Sequence, residues 1–230
     1  GIPSSSSHAL IGGFVGAAVA GYGLGVIRME GMNKVLAGLF LSPVIGLFFG
    51  WIVMRIVLFI GQFLAPSANV FFLKSQWLTA ITLGLSHGTN DAQKTMGILT
   101  MGLVAFGMIP TFHVPVWVIA ASATAIALGT ALGGWRLIRT MGGKFYKIRA
   151  IHAFSSQVAG TIVILGAALL GAPVSTTQVI SANIVGVGAA ERMNKVRWGV
   201  AGNIVAAWVL TIPTTGLLGA FFFWVINLLG

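Results

Sequence analysis

The sequence predicts an all-α polytopic membrane protein, a helical bundle with internal repeats, a broken helix and re-entrant segments. Three observations carry this expectation. The 230 residues are 57% hydrophobic and 7% charged, with a mean hydropathy of +0.98; a soluble domain carries about 25% charged residues, and so few charges cannot cover a water-facing surface. Apolar runs near the ~20 residues that a membrane helix needs recur along the chain. A Gly/Pro/hydroxyl motif occurs twice at one fixed offset.

The same composition excludes other classes. The net charge of +10 comes from Lys and Arg placed mainly in short stretches between apolar runs. That is the positive-inside pattern and not a nucleic-acid footprint. Cysteine is absent, which removes disulfide frameworks and thiolate metal sites.

Residues 1–27 carry no charge apart from any on His8, and begin Ser- and Gly-rich. They read as a short re-entrant or half-length segment followed by a helix to about Ile27. Residues 35–62 make one span, kinked at Pro43, with Arg55 near an end or facing protein. Residues 75–108 read as a helix broken near Gly88, because a polar run interrupts them. Residues 115–134 and 150–170 form two further spans. Residues 171–190 resemble the opening segment. Residues 198–230 carry no charge and contain Pro213, as one long kinked span or a span plus tail. The stretch Trp135 to Arg149 holds Arg136, Arg139, Lys144, Lys147 and Arg149 and no acid, so it is expected to be a cytoplasmic loop. The loops 28–34 and 191–197 mix one Glu with Lys and Arg and orient less clearly.

The repeat is visible in order as well as composition. Gly1-Ile2-Pro3-Ser4-Ser5-Ser6-Ser7 aligns with Gly171-Ala172-Pro173-Val174-Ser175-Thr176-Thr177 at an offset of 170. Gly16 matches Gly186, and Pro43 and Gly46 match Pro213 and Gly216 at the same offset. Met32-Asn33-Lys34-Val35 recurs as Met193-Asn194-Lys195-Val196. Small residues recur in all membrane helices because they allow close packing, but packing does not explain their order. The division expected is residues 1–62 as the end of a first repeat and 63–230 as the second. The chain begins without an initiator Met, and its opening reads as the interior of a longer protein with another Asn-Asp run upstream. Paired repeats with broken helices mark secondary transporters. Whether the pair is inverted turns on whether 75–108 crosses once or folds back; inversion is expected.

Two motifs carry chemistry. In the hydroxyl motif, Pro suits the first turn of a helix and Ser or Thr caps it. A helix start exposes free N–H groups and the positive end of the dipole, which suits an oxyanion. Ser5, Ser6, Ser7, Ser175, Thr176 and Thr177 are therefore candidate anion ligands. The alternative is that these hydroxyls bond to their own backbone. In the second motif, Ser86 to Gly97, Asp91 is the only acid between Glu30 and Glu191. An ionised side chain at membrane depth costs about 2.5–3.5 kcal/mol on insertion scales, so a chain that keeps one there uses it for ions or protons. Asn90 and Asp91 offer hard oxygens for a cation. His87 and Asp91 lie at i, i+4 on a continuous helix, as a proton relay or a supporting hydrogen bond. Lys94 neutralises Asp91 or attracts the anion, and Gln93 and Thr95 are supporting candidates. One carboxylate makes a poor metal cage, so no resident metal is expected. His8, His113 and His152 read as packing or interfacial residues. An intramembrane Ser/His/Asp hydrolase is disfavoured, since catalysis needs one activated nucleophile and not duplicated hydroxyls. A non-transporting structural or receptor subunit is the other class weighed.

Together these motifs resemble the inorganic phosphate transporter (PiT) family, which carries a Gly-x-Asn-Asp signature and a Gly-x-Pro-x-Ser-Ser/Thr-Ser/Thr motif once in each half. The resemblance covers essentially the whole chain, from the end of the family's first repeat onward. It implies an all-helical bundle with inverted repeats, and cation-coupled symport of phosphate, with sulfate or a metal–phosphate complex as related cargo. Asn90 and Asp91 match the second signature and would serve cation and phosphate. Ser175, Thr176 and Thr177 match the second hydroxyl motif, and Ser5, Ser6 and Ser7 the first. No cofactor is implied beyond co-transported Na⁺ or H⁺. The partners expected are phosphate, the lipid bilayer of the cell (plasma) membrane, the preceding part of the same protein and a second copy of the chain; no nucleic acid is expected.

Overall fold

The computed structural model describes residues 3–63, 65 and 67–229. Gly1 and Ile2 of the first hydroxyl motif lie outside the described residues. The described chain forms seven α-helices: α1 (Ser6–Tyr22), α2 (Met29–Gly61), α3 (Ala68–Ala105), α4 (Val116–Gly143), α5 (Ala150–Leu169), α6 (Thr176–Glu191) and α7 (Trp198–Leu229). Short 3₁₀ turns, Leu24–Val26 and Met193–Lys195, join α1 to α2 and α6 to α7. Four helices, α2, α4, α5 and α7, are long and apolar enough to cross a membrane.

The repeats exchange partners. α1 packs on α7, and α6, its counterpart at offset 170, packs on α2. Glycine makes both contacts possible: a Cβ on Gly16 would run into the backbone of Gly216, and one on Gly186 into the backbone of Leu47. Small residues at such crossings let helices approach closely, and van der Waals packing then holds them.

Contact order along each pair gives direction. On α1 and α7, Gly12 meets Ile212, Gly16 meets Gly216 and Gly21 meets Phe223, so these two helices run parallel. On α2 and α6, Gly46 meets Val179 and Gly50 meets Asn183, and Met54 packs with Val187 and Ala190, so they too run parallel. The starts of α1 and α6 touch through Ser5 and Ser175. α1 leaves that point toward one end of the bundle. The chain turns there, and α2 returns past the same level, where Ser42 donates to Gln178, before following α6 to the other end. α1 and α6 therefore diverge in opposite directions from one centre, which is the inverted arrangement.

α5 and α6 form a hairpin. At its open end Arg149 and His152 pair with Glu191 at 2.5 and 2.7 Å. Toward its tip Val163 and Ile164 cluster with Val174 and Val179. The turn uses Gly171 at φ 65°, a left-handed conformation that glycine adopts without strain. α5 thus enters, and α6 leaves, at the same end of the bundle. This corrects the reading of 150–170 as a complete span. Hydropathy registers length and apolarity; it does not register that the chain then reverses.

Two further expectations are corrected. α3 is unbroken across Gly88, with 38 residues covering about 57 Å at ~1.5 Å per residue. One interior glycine costs a helix only about 1 kcal/mol, and Ser86 and Thr89 fold their hydroxyls back to the carbonyls of Thr82 and Leu85 without displacing the helical bonds. The loop expected at 135–149 is mostly helix, because α4 continues to Gly143 and carries Trp135, Arg136 and Arg139; only 144–149 lies between helices. α1 ends at Tyr22, where Gly23 takes φ 77°, earlier than the Ile27 expected. α2 and α7 keep Pro43 and Pro213 inside continuous helices.

Candidate functional site

The two hydroxyl motifs and the polar run of α3 meet at the centre of the bundle. Ser5 caps α1, accepting from the His8 amide at 3.1 Å. Ser175 caps α6, accepting from the Gln178 amide at 3.4 Å. The two capping hydroxyls then bond to each other at 2.7 Å. Two helix starts, with their free N–H groups and positive dipole ends, thus lie side by side. Both capping residues are buried.

α3 brings the charges. Thr176 donates to both oxygens of Asp91, at 3.1 and 3.2 Å. Lys94 donates to Asp91 Oδ1 at 3.2 Å, to Ser7 Oγ at 2.8 Å and to the Val174 carbonyl at 2.7 Å. Ser7 itself donates to the Val174 carbonyl at 3.4 Å. His87 Nε2 stands 3.7 Å from Asp91 Oδ2, close enough for an ion pair if the ring is protonated but long for a hydrogen bond. Thr95 donates back to the Asp91 carbonyl.

Asn90 and Asp91 do not share a site. Neighbouring residues on a helix do not face each other. Asp91 borders a cavity of about 150 Å³ with Ser6, Ser7, Lys94 and Thr95. Asn90 borders another, of about 210 Å³, with Gln93, Lys94, Gly171, Ala172 and Pro173. Asn90 is buried, and its Oδ1 has no hydrogen-bond partner among the described residues. The expectation that both side chains hold one cation is corrected: Lys94, four residues from one and three from the other, is the side chain that lines both cavities.

Of the remaining candidates, Ser6 is exposed at the first cavity and Gln93 is exposed at the second. Thr177 is half-buried, and it is its neighbour Thr176 that reaches Asp91. His8, read from the sequence as a packing residue, is buried with Nδ1 2.6 Å from Ser5 Oγ. Its position, three residues after the cap, was the available signal. The Val174 carbonyl had none, since a backbone oxygen leaves no mark in residue types. His113 lies in the exposed connection between α3 and α4. His152 belongs to the Glu191 cluster at the far end of the hairpin.

Inverted helices whose N-termini converge beside a buried ion pair define the class of inverted-repeat membrane carriers. The chain belongs to the phosphate transporter family, whose model matches residues 1–219. It is similar to a probable low-affinity inorganic phosphate transporter of Bacillus subtilis (strain 168), 44% identical over all of this chain and 69% of that protein. A protein of the same description from Rhizobium meliloti (strain 1021) is 46% identical over 96% of this chain and 66% of its own length. One from Mycobacterium leprae (strain TN) is 42% identical, and there this chain spans 56% of the relative. These relatives are named as transporters and not as enzymes. A solved structure titled the sodium-dependent phosphate transporter shares the fold, with a TM-score of 0.82 at 21% identity, over 97% of this chain and 74% of that one.

Proposed function

We propose that this protein is a cation-coupled symporter of inorganic phosphate, with the anion bound where the starts of α1 and α6 meet beside Asp91. The observation that carries the reading is the Ser5–Ser175 contact next to the Thr176–Asp91–Lys94 network. It sets two positive helix ends, several hydroxyls and a cationic side chain around one small polar cavity. Neutral donors and helix dipoles suit an oxyanion, and Asp91 suits a cation.

A cation is needed on energetic grounds. Moving negative charge into a cell against the membrane potential is uphill by about 2.3 kcal/mol per charge per 100 mV. Na⁺ and H⁺ both serve this reading. Lys74, Arg136, Arg139, Lys144, Lys147, Arg149, Arg192, Lys195 and Arg197 lie at the end of the bundle where the α5–α6 hairpin opens, whereas Arg28 and Lys34 lie at the other. The basic end is the cytoplasmic one by the positive-inside rule, in the cell (plasma) membrane.

Radiolabelled phosphate uptake into proteoliposomes, with the intact protein, tests the reading. Asp91→Asn is expected to abolish uptake while leaving insertion and the melting transition intact. Uptake equal to wild type would overturn it. Sulfate added as a competitor checks the cargo, and varying Na⁺ and pH separately identifies the coupling ion.

A further inference from the structure

We propose that the Lys94 ammonium fills the position of an alkali-metal cation, so that phosphate binds to this chain without one. The inference rests on the phosphate-transport reading above and concerns the cation side of the same site.

The surroundings of the ammonium carry the argument. A lysine has three N–H donors and no acceptor. Here all three are used, on oxygens from three separate parts of the fold: Ser7 Oγ of α1, Asp91 Oδ1 of α3 and the Val174 carbonyl before α6. A hydroxyl, a carboxylate and a peptide carbonyl are hard oxygen donors, the set that a hard metal cation takes. Two of the three, the carboxylate and the carbonyl, repel an anion. The site around Nζ is therefore built for positive charge, and the anion must bind beside it. Ser7 closes the cage by donating to the same Val174 carbonyl.

The location makes the cage consequential. Lys94 lies between the Asp91 cavity and the Asn90 cavity and lines both. With its ammonium in place the Asp91–Lys94 pair is neutral, and the carboxylate needs no metal to offset it. Take the ammonium away, and what remains is one negative charge among converging oxygens, open to Na⁺ or K⁺.

The experiment measures equilibrium binding of inorganic phosphate to the intact purified protein in NaCl, KCl and choline chloride at constant ionic strength. Melting temperature is measured in the same three salts without phosphate. For wild type the phosphate affinity is expected to be the same in all three. For Lys94→Ser, Na⁺ or K⁺ is expected to strengthen phosphate binding by about tenfold over choline, within the usual range of coupling between two ligands. The same cation is expected to raise the melting temperature of Lys94→Ser alone, as any ligand that binds only the folded state does. Lys94→Met fills the space without charge and is expected to bind phosphate weakly in every salt, with no rescue.

Wild-type binding that strengthens about tenfold with Na⁺ or K⁺ would overturn the proposal. So would a Lys94→Ser protein indifferent to salt in both measurements, or rescue of Lys94→Met equal to that of Lys94→Ser. If wild type binds no phosphate in any salt, the transport reading falls, and the melting series still decides the cage.

Discussion

Ser5 and Ser175 are 170 residues apart in the chain, and their hydroxyls share a hydrogen bond of 2.7 Å. Each also caps its own helix, so one contact joins the two repeats at equivalent positions. Removing a serine cap costs about 0.5–2 kcal/mol. Ser5→Ala and Ser175→Ala are each expected to lower the melting temperature, and the double variant to lose less than their sum. Interacting pairs typically deviate from additivity by about 0.5–3 kcal/mol. Strict additivity in a double-mutant cycle by chemical denaturation would show that the two hydroxyls act independently.

Thr176 donates to both oxygens of Asp91. Thr176→Val keeps the shape and removes the donor. Hydrogen bonds to charged groups are worth about 1.5–3 kcal/mol, which corresponds to roughly ten- to a hundredfold in an equilibrium constant. Phosphate affinity is expected to fall by about that factor in Thr176→Val, whereas Thr177→Val, one position on, is expected to change it far less. Equal losses in the two variants would contradict the placement of Thr176.

The crossings at Gly16 and Gly186 tolerate no side chain, because a Cβ at either meets backbone of the facing helix. Gly102, also inside a helix, has open space around it. Overpacking costs about 1–3 kcal/mol. Gly16→Ala and Gly186→Ala are expected to lower the melting temperature in detergent, while Gly102→Ala holds it or raises it slightly. A Gly16→Ala protein as stable as wild type would mean that α1 and α7 are not in close contact.

Glu191 gathers Arg149 at 2.5 Å, His152 at 2.7 Å and Lys195 at 2.9 Å. It thereby ties the end of α6 to the start of α5. Glu191→Gln leaves three basic groups facing one another around a neutral amide. Faster proteolysis in the 144–149 connection and a lower melting temperature are expected. Arg149 is largely exposed, so its share is expected to fade as salt is raised. An unchanged cleavage rate would show that apolar packing alone holds the hairpin.

Much of the fold was legible because its signals are local. Low charge and recurrent apolar runs set the class, the ordered Gly, Pro and hydroxyl residues revealed the repeat, and Asp91 stood out as a lone acid among apolar residues. What could not be read was direction and facing. The hydropathy of 150–170 is that of a span, yet the reversal at Gly171 returns the chain to the end where α5 began. Gly88 looked like a break because composition overstates what one glycine does to a helix that its neighbours support.

The sequence by itself determined that this is a helical membrane protein with two related halves, and which residue types carry its chemistry. Only the tertiary structure decided that α1 and α6 diverge from a common point, that Asn90 and Asp91 face different cavities, and that Lys94 fills an oxygen cage drawn from three parts of the chain. The physical reason is range. Hydropathy and helix capping act between residues a few positions apart and leave a pattern along the chain. A hydrogen bond between Lys94 and the Val174 carbonyl joins groups 80 residues apart, and it exists only once the helices have packed.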